Sequence, residues 1–586
     1  MKRQRPPKIG ATWSERLDES RIHLARPDAL LPLAFLGLLT GLLAGGVIVS
    51  FRLFVEGVQD AILPGSGSEN YEALSGWGRL LLPLLAAVLL AAMFRWVAQG
   101  ITLLGVASVM ERMAYHQGRF PTRGFLLQFF GAAFAIIGGH SVGREAPHVY
   151  LGASSGSLLA QHLGLPNNVT RALVGCGAAA GIAASFNTPL AGVVFALEVV
   201  MMEYTVASFI PVILAAVSAT TLSNFVFGDA PAFTVPAMHI GALHELALVL
   251  VLGVLAGGVS AAFIHAVQTV ASHARPLPIW WRMLLAGFLA AGFGWLLPEL
   301  MGIGYDSVES ALNGGFAVSL LLALLVGKLL ATAACIGLGV PGGMIGPSLF
   351  IGAMLGALMA KVALMVPLGL ESPVGFYALL GMGAMMSGSL QAPLAALTAM
   401  LELTDNPAII LPGMLAVVVA GLTASALFGK DSLFLSMLRA SGLDYATSPV
   451  LQTLRRIGVA SVMNRSVVRV ASVLEIAEAE RILAEQPDYL LIDHESGDQV
   501  VMPAVELAKY LQSPAHSPES AAIDLMAIPA QRLEVAQIEL QASLQEAWAL
   551  FQERRAEALV VQRMTAPGIR RVYGIITPET VEKSYR

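Results

Sequence analysis

One short segment of the chain occurs twice, each time as an apolar stretch that opens with glycine and proline. The segment GREAPHVYLGASSGSLLA (143–160) is matched two hundred positions later by GMIGPSLFIGAMLGALMA (343–360). A second pair, NTPLAGVVFALEV (187–199) and QAPLAALTAMLEL (391–403), follows at an offset of 204. Paired apolar segments interrupted by glycine and proline are typical of transporters whose substrate binds between two repeated halves. These pairs therefore predict two repeated halves, and they leave open whether the halves are parallel or inverted.

The composition is that of a protein that crosses the membrane many times. Of the 586 residues, 56% are hydrophobic and 13% are charged, whereas a soluble domain carries about a quarter charged residues. A spanning helix needs about 20 apolar residues, and shorter broken helices persist at membrane depth where they are buried in protein or line a cavity. The sequence contains both kinds. We predict apolar segments at 29–58, 79–98, 124–139, 147–163, 170–185, 189–201, 206–226, 243–270, 281–298, 317–336, 347–366, 373–389, 392–403 and 408–427.

The chain changes character near residue 440, where charged and polar residues become frequent. Two related units of helix, strand, turn, strand and helix follow, at an offset of 70. The basic start of the chain is expected to stay in the cytoplasm, and Cys176 and Cys335 imply no disulfide framework. The predicted domains are a basic N-terminal segment (1–28), a membrane domain (29–438, with halves at about 79–226 and 281–427), a linker (439–456) and a soluble α/β domain (457–586, with units at about 457–515 and 520–586).

Arg144 and Glu145 stand side by side at the start of the first repeated segment. A charged side chain at the bilayer centre costs about 2.5–3.5 kcal/mol on insertion scales, so such residues usually mark a functional site. Each repeated segment has a Gly-x-x-x-Pro sequence that opens a helix, and the N–H groups and positive dipole end of a helix start suit an anion. A carboxylate there competes with the anion, and its protonation releases the site. The alternative is that Arg144 and Glu145 neutralise each other in an interfacial loop.

These motifs resemble those of the CLC family of chloride channels and proton–chloride exchangers. GREAP (143–147) is similar to the family's GREGP signature, GMIGP (343–347) to GxFxP, and FNTPLAGVVFALE (186–198) to a further family stretch. The resemblance implies an all-α polytopic membrane protein with two inverted halves and broken, re-entrant helices, followed by a soluble α/β pair of CBS modules. It implies a homodimer, with Glu145 as the gating glutamate. The anion-binding residues that it implies are Gly105, Val106, Gly143, Arg144, Gly343, Met344, Ile345 and Phe434.

Beyond Ala146 and Ile345 in the two signatures, the chain departs from the family pattern at four positions that bear on mechanism. Leu104 stands where the family's first filter motif has serine or histidine, and Ala107 stands where that motif has proline. Phe434 replaces the family's pore tyrosine, so we expect backbone N–H groups alone to coordinate an anion at the central site. Val199 stands where many exchangers of the family carry a proton-relay glutamate.

Several other polar residues of the apolar segments have structural interpretations. Glu198 and Glu402 occupy equivalent places in the repeat, and we expect backbone or helix-end donors to satisfy them. Lys328 is expected near a cavity mouth, or with its head group extended to the interface. In the soluble pair, Thr580 stands where many CBS modules have the aspartate that binds an adenine nucleotide, so nucleotide binding is left open.

Anion permeation explains the repeats, the glycine–proline breaks and Glu145 together. A divalent-cation transporter with CBS modules would need more acidic residues along its spans, and an intramembrane metalloprotease would need H-E-x-x-H, which HELAL (244–248) and HESGD (494–498) lack. We predict a chloride transporter of the inner membrane with cytoplasmic termini, which is not an enzyme and needs no metal, cofactor or nucleic acid. Val199 and Phe434 favour a voltage- or pH-gated channel, and a proton-coupled antiporter is the alternative.

Overall fold

The computed structural model describes residues 19, 21–22, 24–26, 29–65, 69–229, 240–367, 370–443, 449–493, 499–513, 522–566 and 569–585. Most of the predicted basic N-terminal segment, and residues 444–448 of the predicted linker, lie outside these ranges. The chain forms two compact units. We call them the membrane unit (Leu30–His162 with Thr170–Tyr445) and the C-terminal unit (Met1–Ala29, Leu163–Val169 and Ala446–Arg586).

The membrane unit is built from apolar helices, which confirms the predicted all-α polytopic fold. Within the described ranges, nine helices are long and apolar enough to cross a membrane. The helices of the first half are α1 Leu30–Ile62, α2 Gly76–Trp96, α3 Gly105–Tyr115, α4 Thr122–Ile137, α5 Glu145–Leu163, α6 Asn167–Phe186, α7 Pro189–Phe195 and α8 Val206–Phe227. The helices of the second half are α9 Leu246–Ala274, α10 Ile279–Leu296, α11 Tyr305–Leu312, α12 Val318–Gly337, α13 Ile345–Ala363, α14 Val374–Leu390, α15 Pro393–Thr404, α16 Ile410–Leu422 and α17 Leu433–Ala440.

The two halves are inverted relative to each other about Gly143 and Gly343. The N–H of Gly143 donates to the carbonyl oxygen of Gly343 at 2.8 Å, and the N–H of Gly343 donates to that of Gly143 at 2.7 Å. The bridge is antiparallel. Because the paired residues are repeat equivalents, a local two-fold axis passes between them and the two chain directions are opposed. This arrangement agrees with the inverted of the two orientations that the sequence repeat left open.

The repeat offset of two hundred residues holds across three pairs of helices. Helices α3 and α11 begin at Gly105 and Tyr305, although neither of these short helices is among the predicted segments. Helices α4 and α12 both end at equivalent positions, and α5 and α13 begin and end at equivalent positions. The inverted repeat therefore covers more of the chain than the two sequence matches indicate.

Glycine pairs allow helices to cross at backbone contact in both halves. A methyl group on Gly152 of α5 would lie 2.1 Å from the carbonyl oxygen of Gly177 of α6, and one on Gly177 would lie 2.0 Å from that of Gly152. Gly352 and Gly381 repeat this arrangement between α13 and α14, with distances of 2.3 and 2.1 Å. These values are far below van der Waals contact. Small residues at such crossings are what membrane helix packing requires.

Two partly buried carboxylates cap helices of the opposite half, as expected for Glu198 and Glu402. Glu402, near the end of α15, accepts two backbone N–H bonds at 2.8 and 2.7 Å from the start of α7. Glu198, on the π-helical continuation of α7 (Ala196–Met201), accepts two at 3.2 and 2.8 Å from the start of α15. The donors are Leu190 and Ala191 for Glu402, and Leu394 and Ala395 for Glu198.

The C-terminal unit is an α/β structure in which the predicted repeat is visible. The strands are β1 Val467–Ala471, β2 Val473–Glu475, β3 Tyr489–Asp493, β4 Gln499–Pro503, β5 Ala522–Asp524, β6 Leu533–Glu539, β7 Ala558–Ala566 and β8 Ile569–Ile576. The six-stranded sheet of this unit has the order β1-β3-β4-β6-β7-β8, and β2 pairs with β5. The parallel pair β1/β3 and the antiparallel pair β3/β4 recur as β6/β7 and β7/β8.

Each repeat of the C-terminal unit has a hydrophobic core of its own. Leu490, Ile492 and Leu507 are wholly buried in the first core, and Leu559 and Ile576 in the second. Part of the predicted linker is helical. The helices are α18 Pro449–Arg456, α19 Val459–Val462, α20 Ile476–Ala484, α21 Ala504–Gln512, α22 Leu544–Arg554 and α23 Pro578–Tyr585.

Candidate functional site

Glu145 begins helix α5 and lies wholly buried beside the bridge that joins the two repeated motifs. Its Oε2 accepts a hydrogen bond from the N–H of Gly346 at 3.1 Å, and its Oε1 accepts one from the hydroxyl of Tyr305. Burying a charged carboxylate without such donors would cost several kcal/mol, because nothing would replace the hydration that the ion loses. Both donors belong to the second half of the chain, so the gating candidate of one half is held by the other.

Arg144 forms its ion pair with Glu56 rather than with its neighbour Glu145. Its Nη1 lies 3.4 Å from Oε1 of Glu56, and its guanidinium lies 5.2 Å from the centroid of the Tyr305 ring. Arg52 pairs with the same Glu56 at 3.2 Å. Arg144 thus pairs with Glu56, while Glu145 is bound by the Gly346 N–H and the Tyr305 hydroxyl, so the two neighbours do not form an ion pair with each other, although both contact Tyr305.

Glycine at position 143 is what allows the Glu145 carboxylate to lie where it does. A methyl group on Gly143 would come within 2.4 Å of Oε2 of Glu145 and 3.0 Å of Cδ of Pro347. At Gly346, the residue whose N–H binds the carboxylate, a methyl group would lie 3.1 Å from the same Oε2. Because these two motif glycines have no side chain, a charged group can approach the backbone closely.

The two helix starts converge as the repeated motifs predict. Helix α5 begins at Glu145 and α13 at Ile345, directly after the bridged glycines. Pro147 and Pro347 occupy the third helical position rather than the first. Proline is compatible with that position because the first four N–H groups of a helix have no partner within the helix. Two positive helix ends therefore face one region, which favours negative charge there.

Seven residues that the sequence analysis associates with the filter line one cavity of about 30 Å³. A cavity needs about 10–15 Å³ on this measure to hold one water, so there is room for a small ion or a few waters. Thr102 adds a residue with a hydroxyl group to the lining, while the side chains at 104 and 434 are apolar. The seven residues are Leu104, Gly105, Val106, Ala107, Ala146, Met344 and Phe434.

Four of the eight predicted anion-binding residues line this cavity, namely Gly105, Val106, Met344 and Phe434, and the other four, Gly143, Arg144, Gly343 and Ile345, do not. Ile345 lines a separate apolar cavity of about 20 Å³ with Phe186 and Phe195. The N–H of Gly105 donates to Oε1 of Gln128 at 2.8 Å. This amide, predicted to bind the anion, already has a side-chain partner. Gln128 carries no local sequence signal, because its contact with Gly105 depends on how α3 and α4 pack.

Tyr305 is the main residue of this site that sequence reasoning missed. It begins α11, the repeat equivalent of the helix that begins at Gly105. Applying the offset of two hundred residues to the predicted filter position would have led to it. The ring of Phe186 lies 6.3 Å from the Tyr305 ring, and the backbone N–H of Tyr305 donates to Oε2 of Glu69 at 3.5 Å.

The expectation that Lys328 reaches a cavity mouth or the interface is wrong. The side chain is wholly buried, and its Nζ donates to the carbonyl oxygens of Leu300 and Gly302 at 3.2 and 2.9 Å. Nζ also lies 4.7 Å from the centroid of the Phe350 ring. Lys328 is retained inside because these carbonyls replace its hydration. Lys328 thus stabilises the turn at Leu300 and Gly302, which precedes Tyr305.

The loop between α1 and α2 brings an acid, Glu69, to the same region. Burial raises the pKa of Glu69 to about 7, and the charge of Asp306 acts in the same direction, while Arg144 acts against them. The carboxyl group of Glu69 therefore changes charge near neutral pH. It is connected to Glu145 through Tyr305, whose backbone N–H donates to Glu69 and whose hydroxyl donates to Glu145.

No metal site is found in the part of the chain that the structure describes, where no group of three or more histidine, cysteine, aspartate or glutamate residues is suitably placed. His140 and His148 flank the motif and are buried, and His148 packs edge-on against Phe51 at 5.2 Å. Val199 is also buried, on the π-helical segment Ala196–Met201.

Comparison with known proteins gives one consistent result. Residues 84–425 match the family model described as voltage gated chloride channel. The chain is 32% identical over 416 residues to the H(+)/Cl(-) exchange transporter ClcA of Vibrio cholerae serotype O1 (strain M66-2), covering 68% of this chain and 87% of that protein. A slow cyanobacterial Cl-/H+ antiporter has a TM-score of 0.63 at 23% identity, covering 70% of this chain and 97% of that one. A eukaryotic CLC transporter has a TM-score of 0.59 at 19% identity, covering 94% and 98%.

The two structural similarities establish the fold, and the family model extends over more than half of the chain. Members of this family are transporters and channels rather than enzymes. The inverted halves, the converging helix starts and the buried Glu145 agree with that assignment. The chain belongs to the voltage-gated chloride channel family of multi-pass, anion-transporting membrane proteins.

Proposed function

We propose that this protein exchanges chloride for protons across the membrane, with Glu145 as the gating carboxylate. The observation that carries the proposal is the position of that carboxylate. It is buried between two helix starts and is held by donors, the Gly346 N–H and the Tyr305 hydroxyl, that suit any small anion. A chloride ion and the charged carboxylate cannot both use these donors.

Protonation of Glu145 provides the coupling. The charged form is stabilised by its hydrogen-bond donors and by two helix dipoles, and it excludes chloride from the same place. The neutral acid is held less strongly and can be displaced by the anion. Occupancy by a proton on Glu145 then goes with occupancy by chloride nearby. Exchange follows when chloride enters from one side of the membrane and the proton from the other, and when each ion leaves on the side opposite to its entry.

The similar proteins support exchange over a passive channel. A relative of this chain is named as an H(+)/Cl(-) exchange transporter, and a similar structure is titled as a Cl-/H+ antiporter. These names favour a proton-coupled antiporter, which was the alternative prediction from the sequence, over the gated channel that Val199 and Phe434 indicated. With valine at position 199, the proton must reach Glu145 without a relay carboxylate at that position.

Proteoliposomes test the proposal directly when chloride efflux and internal pH are followed together. We expect the wild type to move both ions, and Glu145→Gln to pass chloride without proton movement and with a changed pH dependence, in which only a fall near pH 7 from Glu69 remains. Glu111→Gln, which alters a partly exposed carboxylate beside His116, is the matched control. Chloride efflux without protons in the wild type would identify a channel. An unchanged pH response in Glu145→Gln would reject the gating role.

The proposal includes the finer assignments of the sequence analysis. These are a homodimer in the inner membrane, cytoplasmic termini and the predicted domain limits. The fold of the C-terminal unit supports a pair of CBS modules there. Light scattering in detergent and the labelling of cysteines placed at either terminus of a cysteine-free chain test assembly and topology. Titration with ATP tests nucleotide binding, for which Thr580 replaces the expected aspartate.

A further inference from the structure

Tyr305 occupies the repeat equivalent of the predicted filter position. Helix α3 begins at Gly105, which lines the cavity of about 30 Å³, and α11 begins two hundred residues later at Tyr305. Because the halves are inverted, equivalent helix starts approach a shared path from opposite sides. The structure therefore places a second helix start, with a hydroxyl group on its first residue, beside Glu145.

The surroundings of Tyr305 fix its hydroxyl in place. Arg144 lies over the ring at 5.2 Å, and Glu69 accepts from the Tyr305 N–H at 3.5 Å. Lys328 holds the preceding turn through the carbonyl oxygens of Leu300 and Gly302. A donor held in this way loses little conformational freedom when an anion binds to it. Arg144 also adds positive charge, which favours any anion at this position.

The donors at Glu145 are chemically suited to more than one anion. A phenol O–H and an amide N–H are neutral donors, and neither has to give up its proton to bind a carboxylate oxygen or a halide. At the central cavity, by contrast, Leu104 and Phe434 lack the hydroxyl groups that the family pattern has there. In this chain, a side-chain hydroxyl that can bind an anion is thus available beside Glu145, at Tyr305.

Resting on the exchange proposed above, we propose that Tyr305 is an anion-binding residue of this protein. Its hydroxyl, together with the Gly346 N–H, holds the Glu145 carboxylate while that group is charged. When protonation releases the carboxylate, the same hydroxyl donates to the chloride ion that takes its place. The tyrosine keeps its own proton throughout, so it contributes to binding and adds no proton to the transport cycle.

Removing the hydroxyl therefore has opposite effects on two measurements. In Glu145→Gln, where the charged competitor is absent, adding Tyr305→Phe weakens chloride binding by about tenfold, because a hydrogen bond to an ion is lost. In the otherwise wild-type protein, Tyr305→Phe speeds chloride efflux severalfold at a pH where Glu145 is charged, because the carboxylate is held less strongly. A residue that served packing alone would not weaken binding and speed transport together.

The experiment uses the full-length protein. Chloride affinity is measured by calorimetric titration with sodium chloride in detergent, and efflux is measured in proteoliposomes. The matched control is Tyr377→Phe, which removes another tyrosine–carboxylate hydrogen bond, that between Tyr377 and Glu245 at 2.5 Å, away from Glu145. We expect Tyr377→Phe to leave both quantities unchanged. If Tyr305→Phe does not fold, 3-fluorotyrosine at position 305 keeps the shape and gives a stronger donor, with tighter chloride binding and slower efflux.

Equal chloride affinity with and without the Tyr305 hydroxyl, or equal affinity after fluorination, would overturn the proposal. An unchanged efflux rate in Tyr305→Phe would do the same. These results are distinguishable from failure of the proposed exchange, which shows as chloride movement without protons in the wild type. The calorimetric comparison needs no proton transport, so it decides the role of Tyr305 in either case.

Discussion

Glu198 caps the helix that carries Glu402, and Glu402 caps the helix whose continuation carries Glu198. The two carboxylates thereby join the halves of the membrane unit by a reciprocal contact, in the same way that Gly143 and Gly343 join them by a reciprocal backbone bridge. The two halves of the inverted repeat are thus joined at two places, and at each of them each half forms hydrogen bonds with the other. One of these places carries the candidate gating residue, and the other is structural.

Replacing either capping carboxylate should lower stability and leave coupling unchanged. Glu402→Gln removes the charge that interacts with the start of α7, where two N–H groups lie 2.7–2.8 Å from the carboxylate. We expect a loss of about 1–2 kcal/mol, the usual value of a helix cap. Thermal unfolding of the purified protein checks this, with Glu111→Gln as the control. A changed ratio of chloride to protons in Glu402→Gln would show that the residue belongs to the transport path.

The glycine crossing between α5 and α6 predicts a strong effect from one methyl group. Gly177→Ala places that group 2.0 Å from the carbonyl oxygen of Gly152, so the helices must separate. Since α5 begins with Glu145, we expect loss of folded protein or of transport. Gly292→Ala is the control, because a methyl group there has no atom within 4 Å. Size-exclusion profiles and flux of both variants decide the matter, and normal behaviour of Gly177→Ala would contradict this packing.

Restoring the pore hydroxyl should strengthen anion binding at the central cavity. Phe434→Tyr adds a donor to a cavity whose lining at Leu104 and Phe434 is apolar. A hydrogen bond to an ion is worth about 1.5 kcal/mol at the low end, so chloride affinity should rise by about tenfold. Calorimetric titration measures this, and Phe376→Tyr, at a buried position outside the cavity lining, is the control. Unchanged affinity would mean that the cavity does not bind chloride.

Glu69 should give transport a second dependence on pH. Its pKa of about 7 lies above the usual value, so the group is neutral below pH 7 and negatively charged above it. The charge repels chloride from the region that holds Arg144 and Tyr305, and we expect flux to fall as pH rises through 7. One charge a few ångströms away in water is worth up to about 1 kcal/mol, or about fivefold. Glu69→Gln should abolish this fall, and a pH profile identical to the wild type would contradict the prediction.

Much of this architecture could be predicted from the sequence because its causes are local. Apolar length predicts the spans, and glycine and proline predict the breaks at 143–147 and 343–347. The repeat also brings Gly143 and Gly343 together as equivalents. Gln128 could not be found in this way, because its partner Gly105 is on another helix and a single glutamine in an apolar chain has no periodic signal. Tyr305 has no local signal either, and only its place two hundred residues after Gly105 indicates it.

Lys328 is a further residue whose partners could not be predicted from the sequence. A lone lysine in an apolar segment is reasonably expected to extend to the interface, since burial of its charge is costly. The structure satisfies it with the carbonyl groups of a turn at Leu300 and Gly302, which no pattern around position 328 indicates. The sequence therefore predicts helix-end donors for Glu198 and Glu402 and does not predict the partners of Lys328.

Proton movement against its own gradient is the most direct test of the account. Proteoliposomes are loaded with high chloride and set to a slightly acidic internal pH, and the voltage is held near zero with potassium and valinomycin. Outward chloride flow should then drive protons inward, so that the interior becomes still more acidic, and Glu145→Gln should abolish this acidification. Chloride efflux with no further fall in internal pH would contradict exchange and would identify a passive chloride channel.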